Sequence, residues 1–161
     1  MQISVKEAYD TLKAVLADIS GIVRSLAQWQ TKKLIEKYRE GLGAINLICL
    51  KVGAEAEVAQ RVGKNINLTM EDRKKIVGSI IALSDDLNRI VGSDPMRLLL
   101  GYHPQLARKV YLKMYGERDD YLPEDIWSDE EEFLRWIGAI PFYISEIFAE
   151  LDKIFESSHT R

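Results

Sequence analysis

The chain has one cysteine, Cys49, and two histidines. A single thiol excludes an internal disulfide and fits a reducing, cytoplasmic setting. So few imidazoles leave no Glu-x-x-His pair and no His-Glu-x-x-His, and the cysteines cannot pair, so the usual zinc and di-iron ligand sets are missing. No metal or other cofactor is expected. No glycine-rich loop ending in Lys-Ser or Lys-Thr is present, and no Gly-x-Ser-x-Gly elbow. The longest apolar run, IGAIPFYI at 137–144, falls far short of the roughly 20 residues that span a bilayer, and MQISVKEAYD lacks the basic-then-apolar order of a signal peptide. No membrane association is expected. Gln and Asn are sparse beside Lys, Arg, Glu and Ile, a thermophile-like balance.

No stretch alternates apolar and polar residues as a half-buried strand does, whereas helical spacing is almost everywhere. With 161 residues, 47% of them apolar, the chain can bury one sizeable core, and residues 1–161 read as one domain. Four apolar stripes step by four and three. The first is Val5, Tyr9, Leu12, Leu16, Ile19, Val23, Leu26; the second is Tyr38, Leu42, Ile45, Cys49, Val52, Ala56, Ala59. The third is Ile76, Ile80, Leu83, Leu87, Ile90; the fourth is Phe133, Ile137, Ile140, Ile144, Ile147, Leu151, Ile154. Cys49 sits on a stripe and so reads as packing. Ser4-Val-Lys-Glu7, Thr69-Met-Glu-Asp72 and Ser128-Asp-Glu-Glu131 each offer a hydroxyl N-cap with a carboxylate three residues on, which can satisfy two orphan amides reciprocally. Asp94-Pro95 and His103-Pro104 suit two further short helical starts.

The expected fold is therefore all-α: an antiparallel bundle of four to five helices with long heptad-patterned helices. Pro141 falls inside the last helix and should kink it, because its ring meets the carbonyl of Ile137. Between Leu26 and Tyr38 the phase slips without a Gly or Pro. Either the chain turns near 28–31, or one helix continues to the Gly41-Leu-Gly43 break; a helix running through to Gly63, about 90 Å long, is too long for a compact domain.

Charge is unevenly spread. The net charge is −3, yet residues 24–113 hold 16 basic groups against nine acidic, and residues 114–161 hold four against 13. Within 116–133, GERDDYLPEDIWSDEEEF, nine Asp or Glu stand against one Arg. Asp129, Glu130 and Glu131 belong to the first turn of a helix, where negative charge meets the positive end of the macrodipole. The rest reads as an acidic loop at about 116–127. Asp119, Asp120, Tyr121, Leu122, Glu124, Asp125 and Trp127 are its candidate partner-binding residues, since aromatic and aliphatic anchors amid acid suit docking on a basic surface. Trp136 reads as core, and Trp29 as a plug at a helix junction.

Three basic clusters are candidate nucleic-acid contacts: Lys32, Lys33, Lys37 and Arg39; then Lys64, Arg73, Lys74 and Lys75; then Arg108, Lys109 and Lys113. If they converge they could follow a phosphate backbone, with affinity falling as salt rises. Interspersed Glu36, Glu40, Glu71 and Asp72 fit an ordinary solvated face equally.

One arrangement suggests chemistry. In Arg97-Leu-Leu-Leu-Gly-Tyr-His103 five residues separate Arg from His, which resembles the Arg-x4–6-His motif of HEPN ribonucleases, helical bundles of about this size. The resemblance implies that Arg97 holds the scissile phosphate and His103 acts as acid or base at the 2′-hydroxyl, without a metal. It spans seven residues, has Leu98 where a polar residue often follows the Arg, and sets His103 before Pro104. The alternative is Arg97 in a surface ion pair and His103 capping the next helix. The function expected from the whole sequence is a non-enzymatic helical interaction protein, an adaptor, assembly subunit or regulator, with a protein partner or self-association and nucleic acid as a further partner through the basic centre.

Overall fold

The structure, a computed structural model, describes residues 4–94, 96 and 126–159, the last six of these by backbone only. Its elements are helical, with no strand among the described residues: α1 at Val5–Arg24, a 3-10 turn at Leu26–Gln28, α2 at Thr31–Arg61, α3 at Met70–Val91 and α4 at Glu130–His159. No described helix is long and apolar enough to cross a membrane.

Two helix starts follow from their first four residues. The Glu7 N–H donates to Ser4 Oγ at 3.2 Å, and the Ser4 N–H donates to Glu7 Oε2 at 3.0 Å. At α3 the Asp72 N–H donates to Thr69 Oγ1 and the Thr69 N–H to Asp72 Oδ2, both at 3.1 Å. The third start differs from expectation. The cap of α4 is Asp129, whose Oδ1 accepts from the amides of Glu131 at 2.9 Å and Glu132 at 3.4 Å. Ser128 thus precedes the cap, and Glu130, Glu131 and Glu132 fill the first turn. Both residues carry a suitable oxygen, and the path of the backbone selects the later one.

The phase slip after Leu26 is a turn. The Ser25 N–H bonds Ile22 O, the 3-10 turn follows, and Trp29 and Gln30 are extended at φ −95° and −70°. None of these angles is left-handed, so no glycine is required and the sequence carries none. Helix α2 then runs straight through Gly41 and Gly43, closing the alternative that a helix breaks there. It stops at Gly63, φ +68°, where the Lys64 N–H reaches Ala59 O at 2.8 Å and the Gly63 N–H reaches Gln60 O at 3.2 Å. That pair of bonds is a Schellman stop, which needs the left-handed glycine.

One apolar core joins the four described helices. On α3 Ile76, Ile80, Leu83, Leu87 and Ile90 are buried, and on α4 Phe133, Ile137, Ile140, Ile144, Ile147 and Leu151. Helix α1 departs from its expected stripe: Val5, Leu12 and Ile19 are buried together with Ala8, Val15 and Ile22, while Tyr9, Leu16 and Val23 are only half-buried. The apolar face is wider than one seam, and its Ala8, Val15 and Ile22 side is the more deeply buried. Helix α2 is buried on more of its circumference, adding Leu34, Ile35, Ala44 and Ile48 to the expected positions, because α1, α3 and α4 all pack on it.

The helices do not all alternate in direction. Asp18 of α1 pairs with Lys37 of α2 at 2.6 Å and Arg39 pairs with Asp152 of α4, while Ser4 lies by Val58 and Leu134 by Gln60. Helix α2 is therefore antiparallel to α1 and α4. Ser20 Oγ donates to Asp86 at 2.6 Å, and Val5 lies by Ile76, so α1 and α3, packed side by side, run parallel. Two short connections reverse the chain twice, which leaves the first and third helices pointing the same way.

Candidate functional site

Burial on α2 ends at Val52. Beyond it the helix carries alanines at 54, 56 and 59, and three aliphatics around this end are exposed: Leu50, just before Val52, then Val58 and the capping residue Val62, at 53%, 60% and 62% relative exposure. Leu50, Ala54, Val58 and Val62 recur every fourth residue, so they share one face, turned away from the packed one. Beside this face lies a cleft of about 610 Å³ with α2 as one wall and Ser4, Lys64, Asn65 and Asn67 as the other. The wall across from α2 exists because the Schellman stop at Gly63 folds the chain back along the helix. The cleft shares Ser4, Glu55 and Asn67 with a second of about 360 Å³, floored by Val5, Tyr9, Leu68 and Ile76 and edged by Lys6 and Lys75. It shares Ala59, Lys64 and Asn65 with a third of about 410 Å³ that reaches Glu130 and Leu134. The three make one continuous grooved surface around the end of α2.

The basic residues singled out in the sequence divide between the two ends of this helix. Lys32 and Lys33 are exposed at its start. Lys37 is held by Asp18 at 2.6 Å and Glu40 at 3.1 Å, and hydrogen bonds to Asp18 first and Glu40 second push its pKa above the ordinary 10.5. Arg39 pairs with Asp152 and lies 5.7 Å from the Phe148 ring centroid. At the other end Lys64 lines two of the clefts and Lys75 the smallest. Arg73 Nε donates to Trp127 O at 2.7 Å and its Nη1 to Leu68 O at 3.3 Å, while Lys74 Nζ stands 5.8 Å from the Trp127 ring centroid. Lys32 and Lys64 are separated by about 45 Å along the helix. The first two clusters therefore do not converge. Arg108, Lys109 and Lys113 lie outside the described residues.

Of the acidic stretch, Asp119, Asp120, Tyr121, Leu122, Glu124 and Asp125 also lie outside them. Trp127 is half-buried against the core, with its carbonyl held by Arg73 and its ring under Lys74. Glu130 has a structural part, accepting from the Ile66 N–H at 3.3 Å. Arg97 and His103 are outside the described residues as well. Cys49 is buried, and desolvation pushes its thiol far above the ordinary 9.0, which keeps it protonated and unreactive. Among the described residues no three His, Cys, Asp or Glu side chains gather as a metal cage requires.

Sequence reasoning missed the groove. The signal that could have found it is the four-residue recurrence of Leu50, Ala54, Val58 and Val62, which lies off the second stripe and has no core role to explain it. No protein family, curated protein or solved structure matches this chain.

Proposed function

We propose that this chain is a non-enzymatic helical association protein, serving as an adaptor, assembly subunit or regulator of a larger complex, and that a helix of its partner seats in the groove at the end of α2. The observation that carries this reading is the face of Leu50, Val58 and Val62, exposed to half or more, of which Val58 and Val62 line a cleft. A contiguous aliphatic face rimmed by polar groups is the usual mark of a protein-binding surface. The reading includes a bundle of four or five helices with seams repeating every seven residues, stiff enough to present the groove without rearranging. It also includes a bend at Pro141, which turns the neighbouring Phe142, 76% exposed, outward. The acidic residues 119–125 enter it as a second docking segment.

Nucleic acid draws less support. Lys37, Arg39 and Arg73 are committed to carboxylates or carbonyls, and the two described clusters stand at opposite ends of α2.

The test is the size of the native assembly. In gentle extracts of its own cells the protein is expected to sediment faster than the lone chain, and Val58→Asp, placed on an exposed site, is expected to return it to the monomer position. A wild-type protein that sediments as a lone chain overturns the reading.

A further inference from the structure

We infer that the occupant of this groove is an acidic amphipathic helix, one with aliphatic side chains on one face and carboxylates flanking them. The inference rests on the association reading and specifies the chemistry of the partner. From Lys51 to Val62 the groove follows three turns of α2, about 17 Å, which matches a helix presenting anchors at i, i+4 and i+7. Its floor is Ala54, Val58, Ala59 and Val62, two of them small enough to let a second backbone approach closely. Nothing aromatic and no arginine lines it, so a nucleic-acid base would find no ring or guanidinium plane to stack on.

The charge on its borders is the deciding feature. Lys51 and Lys64 stand near its two ends, and Lys6 and Lys75 edge the adjoining cleft; none of the four has a carboxylate partner among the described residues. Fewer acids line these two clefts: Glu55 lines both, and Asp72 lines the adjoining one, where it also accepts from the Thr69 amide. The acids of the third cleft are engaged, Glu57 bridged to Arg61 at 2.7 Å and Glu130 accepting from the Ile66 amide. A carboxylate-flanked helix gains at both ends and meets one like charge. A lysine-flanked helix meets like charge at both ends.

The test uses the full chain and two synthetic helical peptides. They carry the same leucine anchors and differ only in flanks of glutamate or lysine. Titration is followed by amide NMR shifts and fluorescence anisotropy at low and physiological salt. The glutamate peptide is expected to bind at least about tenfold tighter, to shift amides of residues 50–67, and to weaken as salt rises. Lys51→Glu with Lys64→Glu should reverse the preference, and Val58→Asp should abolish binding of both while circular dichroism stays unchanged. Equal binding of both peptides overturns the charge assignment and leaves the association reading standing. Absence of binding by either, or a dimer of the free protein that Val58→Asp dissolves, overturns the assigned occupant; the second of these gives the groove to another copy of this chain. Failure of the association reading is read separately, from the native sedimentation.

Discussion

A Cβ built on Gly41 of α2 would stand 2.7 Å from Leu87 Cδ2 and 3.2 Å from its Cδ1, on α3. Leu87 is fully buried, so it has little room to give way, and the glycine sets how closely the two helices approach. Two residues on, a Cβ at Gly43 would meet nothing within 4 Å. Gly41→Ala is therefore expected to destabilise by about 1–2 kcal/mol, overpacking exceeding the helix-propensity gain. Gly43→Ala should stabilise by up to about 1 kcal/mol. Urea melts of the two variants decide it; equal signs would show that the contact with Leu87 is not what the glycine is for.

Arg73 ties two connections together, holding the carbonyls of Leu68 and Trp127 from one guanidinium. Arg73→Ala leaves both part-buried acceptors without that donor and is expected to cost about 1.5–3 kcal/mol. Arg73→Lys should recover only part, because a lysine lacks the planar fork. The emission of Trp127 should move to longer wavelength as its surroundings open to water. A variant of full stability and unaltered emission would return Arg73 to the pool of free cations.

The Tyr38 hydroxyl is fully buried and finds no hydrogen-bond partner among the described residues. Desolvation first, and the charge of Glu150 second, push the phenol well above its ordinary 10.0. Removing an unsatisfied hydroxyl removes a desolvation cost, so Tyr38→Phe is expected to be neutral or to stabilise by about 1 kcal/mol. Tyr38→Ala, which empties a large core site, should cost about 3–5 kcal/mol. A loss of more than about 1 kcal/mol in the phenylalanine variant would reveal a hydrogen bond made by that oxygen.

Alkaline pH should weaken the fold through Cys49. In the unfolded chain the thiol ionises near 9.0, whereas burial holds it protonated in the folded one. Above that pH the unfolded state binds fewer protons than the native state, so stability falls as pH rises, by at most about 1.4 kcal/mol per unit for this group. The contribution is complete below pH 9.0 and declines above it. Chemical denaturation between pH 8 and 10 should show a shallower decline in Cys49→Ala than in wild type. Parallel slopes would mean that the thiol is not protected.

The helix starts at Ser4 and Thr69 were legible because a cap is a local bargain among four residues. The start of α4 was read one residue early, since Ser128 and Asp129 both offer an oxygen and only the backbone path chooses. On α1 the sequence marked Val5, Leu12 and Ile19 correctly. It could not show that Ala8, Val15 and Ile22 complete the buried face instead of Tyr9, Leu16 and Val23, because that depends on where α2 and α3 lie. The candidate basic sites were legible as charge, while their separation along α2 and the carboxylate partners of Lys37 and Arg39 come from contacts distant in sequence. Leu50, Val58 and Val62 have the composition of core residues, and only their recurrence off the second stripe sets them apart locally; that no described helix covers them is a fact of the packing.

What the sequence determined by itself is the helical character of the chain, the places where α1 and α3 begin, and the polarisation of its charge, all of which follow from short-range spacing and caps. The tertiary structure decided that α1 and α3 run parallel, that α2 is enclosed by three neighbours until Val52 and then emerges, and that its last turns border a lysine-edged groove. Those are properties of how helices stack. Stacking is governed by volumes meeting across the core, as Gly41 meets Leu87, between residues that no local pattern connects.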